Sequence, residues 1–160
     1  MQKNMTDCLI AFGGNLSNPK LTFPLALNAL CSSGFEIHRK SGLWSSPAWP
    51  AGSQQPDYLN AVVKGRYGGD ADDLLMLLQT TEENYGRARS VPNAARTLDL
   101  DLLVFGDLRC ETDRLTLPHP RMTSRPFVLV PAAELEVKWL QYLRLIPNED
   151  IRQTKYVGSW

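Results

Sequence analysis

Thr97-Leu98-Asp99-Leu100-Asp101-Leu102-Leu103-Val104-Phe105 opens with polar and apolar residues in alternation. A period of two is the pattern of a half-buried strand. Successive strand side chains leave opposite faces, so Leu98, Leu100 and Leu102 point into a core. Asp99 and Asp101 then share the other face, about 7 Å apart at Cα by strand rise. Working outward, Cys8–Phe12 is a short apolar run ending at Gly13-Gly14-Asn15 and reads as a buried strand with a turn. A helix is expected from near Thr22, which keeps Pro24 in its first turn, and Gly34 suits its C′ position. Phe35–Ser45 reads as a strand with Phe35, Ile37 and Leu43 on one parity. Residues 47–56 hold three prolines and a glycine and form a long loop. Tyr58–Tyr67 resumes as a strand. Asp70 caps a helix that Gly86 ends. Residues 87–95 are an Arg-rich loop, Gly106-Asp107 a turn, and Leu115–Leu117 a short strand. Phe127–Leu135 begins as a helix and is expected to break at Pro131, with one more short helix after Pro147. The order is βαββαβ with additions, an α+β domain with an antiparallel sheet, read as one domain over residues 1–160.

Composition narrows the function classes. The 160 residues are 43% hydrophobic and 21% charged, the balance of an ordinary globule. Seventeen basic residues face seventeen acidic ones, so the net charge is zero and a non-specific nucleic-acid binder is disfavoured. The charge is unevenly placed, however. From Tyr85 to Arg125 the basic residues are Arg87, Arg89, Arg96, Arg109, Arg114, Arg121 and Arg125, with no lysine. Arginine grips phosphates and carboxylates bidentately, which suggests an anionic small ligand. Cys8, Cys31 and Cys110 are odd in number, widely spaced and without metal-ligand spacing. With no signal peptide and no apolar run of membrane-spanning length, the expectation is a cytoplasmic monomer with reduced thiols.

Asp99 and Asp101 are candidate Mg²⁺ ligands, because that ion takes oxygen donors and shares its shell with substrate phosphates. Taken alone, two aspartates on a strand read more readily as solvated surface, where aspartate is common. Arg87, Arg89 and Arg96 beside them favour phosphoryl transfer, which needs neutralised oxygens and in-line alignment. No Walker A pattern is present, and no spacing suggests a nucleophilic triad. His119 lies between two prolines, where its imidazole could reach phosphate; His38 reads as structural. Tyr58 and Asn60 share a strand face, one aromatic to stack on a flat ring and one amide to read its edge. Core packing of that pair is the competing reading. A nucleotide- or RNA-binding module on the same fold, and another metal-dependent transferase, stay open at this point.

Six stretches stand out: Phe12-Gly13-Gly14-Asn15-Leu16, Gln55-Pro56-Asp57-Tyr58-Leu59-Asn60-Ala61, Gly86-Arg87-Ala88-Arg89, Arg96-Thr97-Leu98-Asp99-Leu100-Asp101, Pro118-His119-Pro120-Arg121-Met122 and Arg125-Pro126-Phe127. Together they resemble the 6-hydroxymethyl-7,8-dihydropterin pyrophosphokinase family. The resemblance runs from about residue 8 to residue 135. It implies a ferredoxin-like core and transfer of pyrophosphate from ATP to the hydroxymethyl group of the dihydropterin, with release of AMP, in folate biosynthesis. It implies two Mg²⁺ ions on Asp99 and Asp101. Tyr58 and Phe127 would sandwich the pterin, and Asn60 with the backbone around Ser46 and Pro47 would read its edge. Arg87, Arg96, His119 and Arg125 would hold phosphates, and Arg89 would lie near ATP. Gln79, Glu82, Leu102, Arg114 and Thr116 would line the nucleotide side. Asn93 and Ala95 depart from the aromatic and proline of many members, and Pro120 from a tyrosine of some.

Overall fold

A computed structural model describes residues 4–16, 18–48, 52–85 and 98–160. The central strand is β1 (Thr6–Gly14), apolar on both faces because both are covered. β4 (Tyr58–Tyr67) lies antiparallel on one side of it and β5 (Asp99–Phe105) on the other. Beyond β4, β2 (Glu36–Lys40) and β3 (Leu43–Ser46) follow one another along the same edge. They act as one strand bent at Ser41-Gly42. The order β5-β1-β4-β2/β3 is the antiparallel βαββαβ arrangement expected from the sequence. β8 (Lys155–Gly158) adds a further edge strand against β3, and β6 (Cys110–Glu111) and β7 (Thr116–Leu117) form a separate hairpin.

The expected single strand over 35–45 is interrupted, and Ile37 is exposed although Phe35 and Leu43 are buried. The register against β4 shifts between Ile37 and Arg39, so His38 is an extra residue and the parity changes there. A second bulge sits in β5. Leu9 pairs with Val104 but Ile10 pairs with Leu102, which leaves Leu103 as the additional residue. Leu98, Leu100, Leu102 and Phe105 therefore face one core, and Leu103 faces the other.

The first core lies under α1 (Pro19–Ser32) and α2 (Ala71–Asn84), which contribute Phe23, Ala26, Leu27, Leu30, Ala71, Leu74 and Leu78. The second lies under α3 (Pro126–Leu135), with Val128, Leu129, Ala132 and Leu135 packed on Leu9, Ala11, Val62 and Leu103. Trp139, in the 3₁₀ turn Val137–Trp139, closes its far end. The short helices α4 (Leu140–Leu143) and α5 (Asn148–Arg152) follow.

Two helix readings need correction, both at prolines. α1 begins at Pro19, not near Thr22, and Pro24 lies inside it. α3 runs through Pro131 without breaking. Each helix carries one proline at its start, where no N–H is required, and a second five residues later. The inner proline removes one hydrogen bond, and burial of the helix face outweighs that loss. Other signals hold as read. Asp70 and Asp73 form a reciprocal capping box at the start of α2. Gly34 (φ 101°) closes α1, with Phe35 N–H on the Leu30 carbonyl and Gly34 N–H on that of Cys31. Among the described residues no helix is long and apolar enough to cross a membrane.

Candidate active site

The site grows out of the sheet register. Gly13 of β1 is opposite Asn60 on one side and Asp99 on the other; Ala11 is likewise opposite Val62 and Asp101. Directly opposed residues share a face, and neighbouring strands are about 4.8 Å apart. Asn60 and Asp99 thus stand about 9–10 Å apart at the backbone, across a position with no side chain. The next row along β3 and β4 pairs Ser46 with Tyr58. Small residues on β1 leave a hollow in the sheet, and larger polar ones stand at its rim. The result is a cleft of about 610 Å³ lined by Gly13, Ser46, Pro47, Tyr58, Asn60, Asp99, Asp101, Arg121, Arg125 and Phe127, with Ala11, Phe12, Ala61 and Val128. It opens on the α3 face of the sheet.

One end of the cleft suits a flat heterocycle. Tyr58 and Phe127 present two aromatic rings from different elements. Asn60 is buried, and its Nδ2 donates to Ser46 Oγ (2.9 Å) and to the Trp44 carbonyl (3.3 Å). Its Oδ1 lies on the Gly13 side, where a methyl group on Gly13 would come within 3.7 Å of it. The amide therefore turns an acceptor toward the cleft. Asn15 Nδ2 donates to Gln55 Oε1 and to the Pro56 carbonyl, both at 3.1 Å, tying the β1 turn to the loop before β4.

The other end is charged. Asp99 and Asp101 are half-buried on a rigid strand, the geometry expected from the alternation. Two carboxylates on one face fit Mg²⁺, an ion that keeps part of its shell for water and phosphate. The Arg125 guanidinium sits 5.6 Å from the centre of the Phe127 ring, and Arg121 joins it on the cleft wall. His119 does not line this cleft but a neighbouring hollow, with Pro118 and Met122; its backbone N–H donates to the Leu103 carbonyl (2.8 Å). Burial holds its imidazole below the ordinary value of 6.5, helped by Arg125 and Arg121, while Asp99 pulls the other way. His119 Nδ1 accepts from the Arg121 N–H (3.2 Å), so in the neutral ring Nε2 carries the proton and can donate to an anion.

A family profile described as 7,8-dihydro-6-hydroxymethylpterin-pyrophosphokinase (HPPK) matches residues 9–137. The chain belongs to the HPPK family. A Synechocystis protein named 2-amino-4-hydroxy-6-hydroxymethyldihydropteridine pyrophosphokinase is 41% identical over 134 residues, 82% of this chain and 67% of that protein. A Haemophilus influenzae protein of the same name is 39% identical over 133 residues, 82% of each chain. Among solved structures, Plasmodium falciparum HPPK-DHPS with pteroate superposes with TM-score 0.68 at 11% identity. That match covers 98% of this chain and 46% of the other, so the chain spans about half the length of that protein. At such identity the likeness concerns the fold, which is that of the HPPK family.

Within this HPPK chain the remaining candidate residues are spread more widely. Arg87, Arg89 and Arg96 lie outside the described residues, as do Asn93 and Ala95. Arg114 is exposed and Thr116 half-buried on the β6–β7 hairpin, and Gln79 is half-buried on α2; none of them lines the cleft. The side chain of Leu102 is only 3% exposed and packs in the α1–α2 core. Glu82 is 1% exposed, and its Oε1 accepts from the Leu100 N–H (2.7 Å), holding the start of β5 against α2. Arg121, one arginine among seven in the anion-suggesting stretch and part of the Pro-His-Pro-Arg-Met motif, stands in the cleft wall, a place its sequence neighbours do not single out. Gly13 and Ala11 were read as turn and strand; their value as the floor of the hollow follows only from the register.

Proposed function

We propose that this chain transfers pyrophosphate from ATP to the hydroxymethyl oxygen of 6-hydroxymethyl-7,8-dihydropterin, releasing AMP. It is an ATP-dependent pyrophosphokinase of folate biosynthesis. The observation that carries the residue-level reading is the single cleft, which has an aromatic-amide end and a paired-carboxylate end divided only by Gly13 and Ala11. Family membership and the two bacterial relatives support the same reaction.

Tyr58 and Phe127 hold the pterin between their rings. Asn60 Oδ1 accepts from an N–H on the ring edge, and the backbone near Ser46 and Pro47 completes that edge. The hydroxymethyl group then points along the floor toward Asp99. Arg121, Arg125 and His119 Nε2–H hold phosphate oxygens, and Arg87 and Arg96 are assigned the same task. Asp99 and Asp101 are the proposed ligands of two Mg²⁺ ions, which when bound neutralise charge on the transferring phosphates. The hydroxyl oxygen bonds to the β-phosphorus, the bond from that phosphorus to the α–β bridging oxygen breaks, and AMP leaves with the bridging oxygen. The hydroxyl proton passes to solvent. Alignment and charge neutralisation supply most of what such a transfer needs, so a strong general base is not required. The proposed working unit is a monomer. Cys8, Cys31 and Cys110 are unpaired, and burial with neighbouring Asp7 pushes the Cys8 thiol up to about 12. Three free thiols suit a reducing compartment such as the cytoplasm.

The test is nucleotide analysis of the reaction with and without the pterin. AMP formed only with 6-hydroxymethyl-7,8-dihydropterin and Mg²⁺ is the expected result. ADP in its place would make the chain a simple kinase and overturn the proposal.

A further inference from the structure

Residues 155–160 lie beyond the family match, yet they touch the strand that carries the pterin end of the cleft. β8 pairs with β3, Tyr156 opposite Trp44 and Lys155 opposite Ser45. The Tyr156 ring stands edge-on to Trp44 at 5.4 Å and lies so close over Gly42 that a Cβ there would meet it at 2.4 Å. Trp160 donates from Nε1 to the Ser41 carbonyl (2.8 Å). Its ring packs on Phe12 (5.4 Å) and Phe23 (5.7 Å), and Lys40 lies over it at 4.6 Å. Phe12 itself lines the cleft. On the face opposite Trp160, which is also that of Tyr156, Glu134 of α3 accepts from the Gly42 N–H (2.8 Å) and from Trp44 Nε1 (3.2 Å). The Ser41-Gly42 bend is thus gripped from both sides. Just beyond it come the Trp44 carbonyl and Ser46 Oγ, the two acceptors that set the Asn60 amide.

We infer that the stretch 155–160 is a strap that positions the pterin end of the cleft, acting through Tyr156 on β3 and Trp160 on Ser41 and Phe12. The inference rests on the pterin reading of that end. Tyr156 and Trp160 are positioning residues: they hold the bend, the bend fixes β3, and β3 orients Asn60. The nucleotide end stands on β5 and the 118–125 segment, and β1 and β4 lie between β5 and β3 in the sheet.

Tyr156→Ala and Trp160→Ala test it in the full chain by two readouts. Hydrogen exchange across Leu43–Ser46 should quicken in both variants. The KM for hydroxymethyl-dihydropterin should rise about tenfold, with the KM for ATP and kcat within about twofold of wild type. Trp160→Phe keeps a ring against Phe12 and Phe23 but loses the bond to Ser41, so it should fall between. If Trp160→Ala does not fold, Tyr156→Val carries the same test, because it keeps the strand pairing and loses only the ring. Unchanged exchange at β3, or equal rises in both KM values, would overturn the inference. Exchange needs no substrate, so the two readings fail differently. Wild-type protein that binds no dihydropterin sinks the parent reading, and the inference with it, even where exchange quickens.

Discussion

Asp99 and Asp101 are the residues on which turnover should depend most. Replacing either with alanine should lower kcat by about 10²–10³-fold or more, the scale of losing one preorganised electrostatic contact in a transition state. Dihydropterin affinity should change little, because the aromatic end of the cleft is untouched; steady-state rates and calorimetry check both halves. Phe127→Ala should show the opposite split. Losing one face of a stack weakens pterin binding by about 10-fold while ATP-analogue binding stays near wild type. His119 supplies a pH signature. Its folded pKa lies below 6.5, so as pH falls the unfolded imidazole takes its proton first. Its contribution to stability is therefore complete above about 6.5 and is lost as pH falls through the window beneath that value. Urea midpoints between about pH 5 and 7 should fall less steeply in His119→Asn than in wild type. The aspartates were legible in the sequence because alternation on a strand is a strong signal. Arg121 was not, since an arginine in a proline-rich loop reads the same whether it meets water or a phosphate.

Secondary elements are legible where a side chain caps or a period repeats. Asp70 marks α2 because Asp73 returns its hydrogen bond. Asp70→Ala should cost about 1 kcal/mol, seen as a lower thermal midpoint with activity intact at 25 °C. Prolines are the weak point of such reading. A helix interior disfavours them locally, but Phe23 and Leu30 on α1, and Leu129 and Ala132 on α3, are fully buried, and that outweighs one missing bond. Bulges mislead in a second way, because a single extra residue reverses the parity of everything beyond it. His38 changes the parity from Arg39 onward by this route, while Ile37 is exposed with the whole of β2, and nothing in the local composition announces either. The β8 strand was missed because Lys155-Tyr156-Val157-Gly158 is short and exposed; its strand character comes from pairing with β3.

At the scale of the molecule, one sheet separates two cores and holds the cleft on the face it shares with α3. β1 is covered on both faces and paired along both edges, so its amides should exchange only with global unfolding, whereas the β6–β7 hairpin should exchange early; mass spectrometry after timed labelling checks the order. The βαββαβ order was legible because each element is punctuated by glycine, proline or a cap. The hollow was not, for it depends on which residues of β1 stand opposite which of β4 and β5, a long-range fact no local pattern holds. The additional residue in β5 has a practical meaning for anyone moving this chemistry to another scaffold. Leu103 faces the α3 core, and its carbonyl suspends the loop that carries His119. The transplantable unit is therefore not a three-residue motif but the whole irregular strand, since a regular host would keep the carboxylates and lose the attachment point of their neighbour.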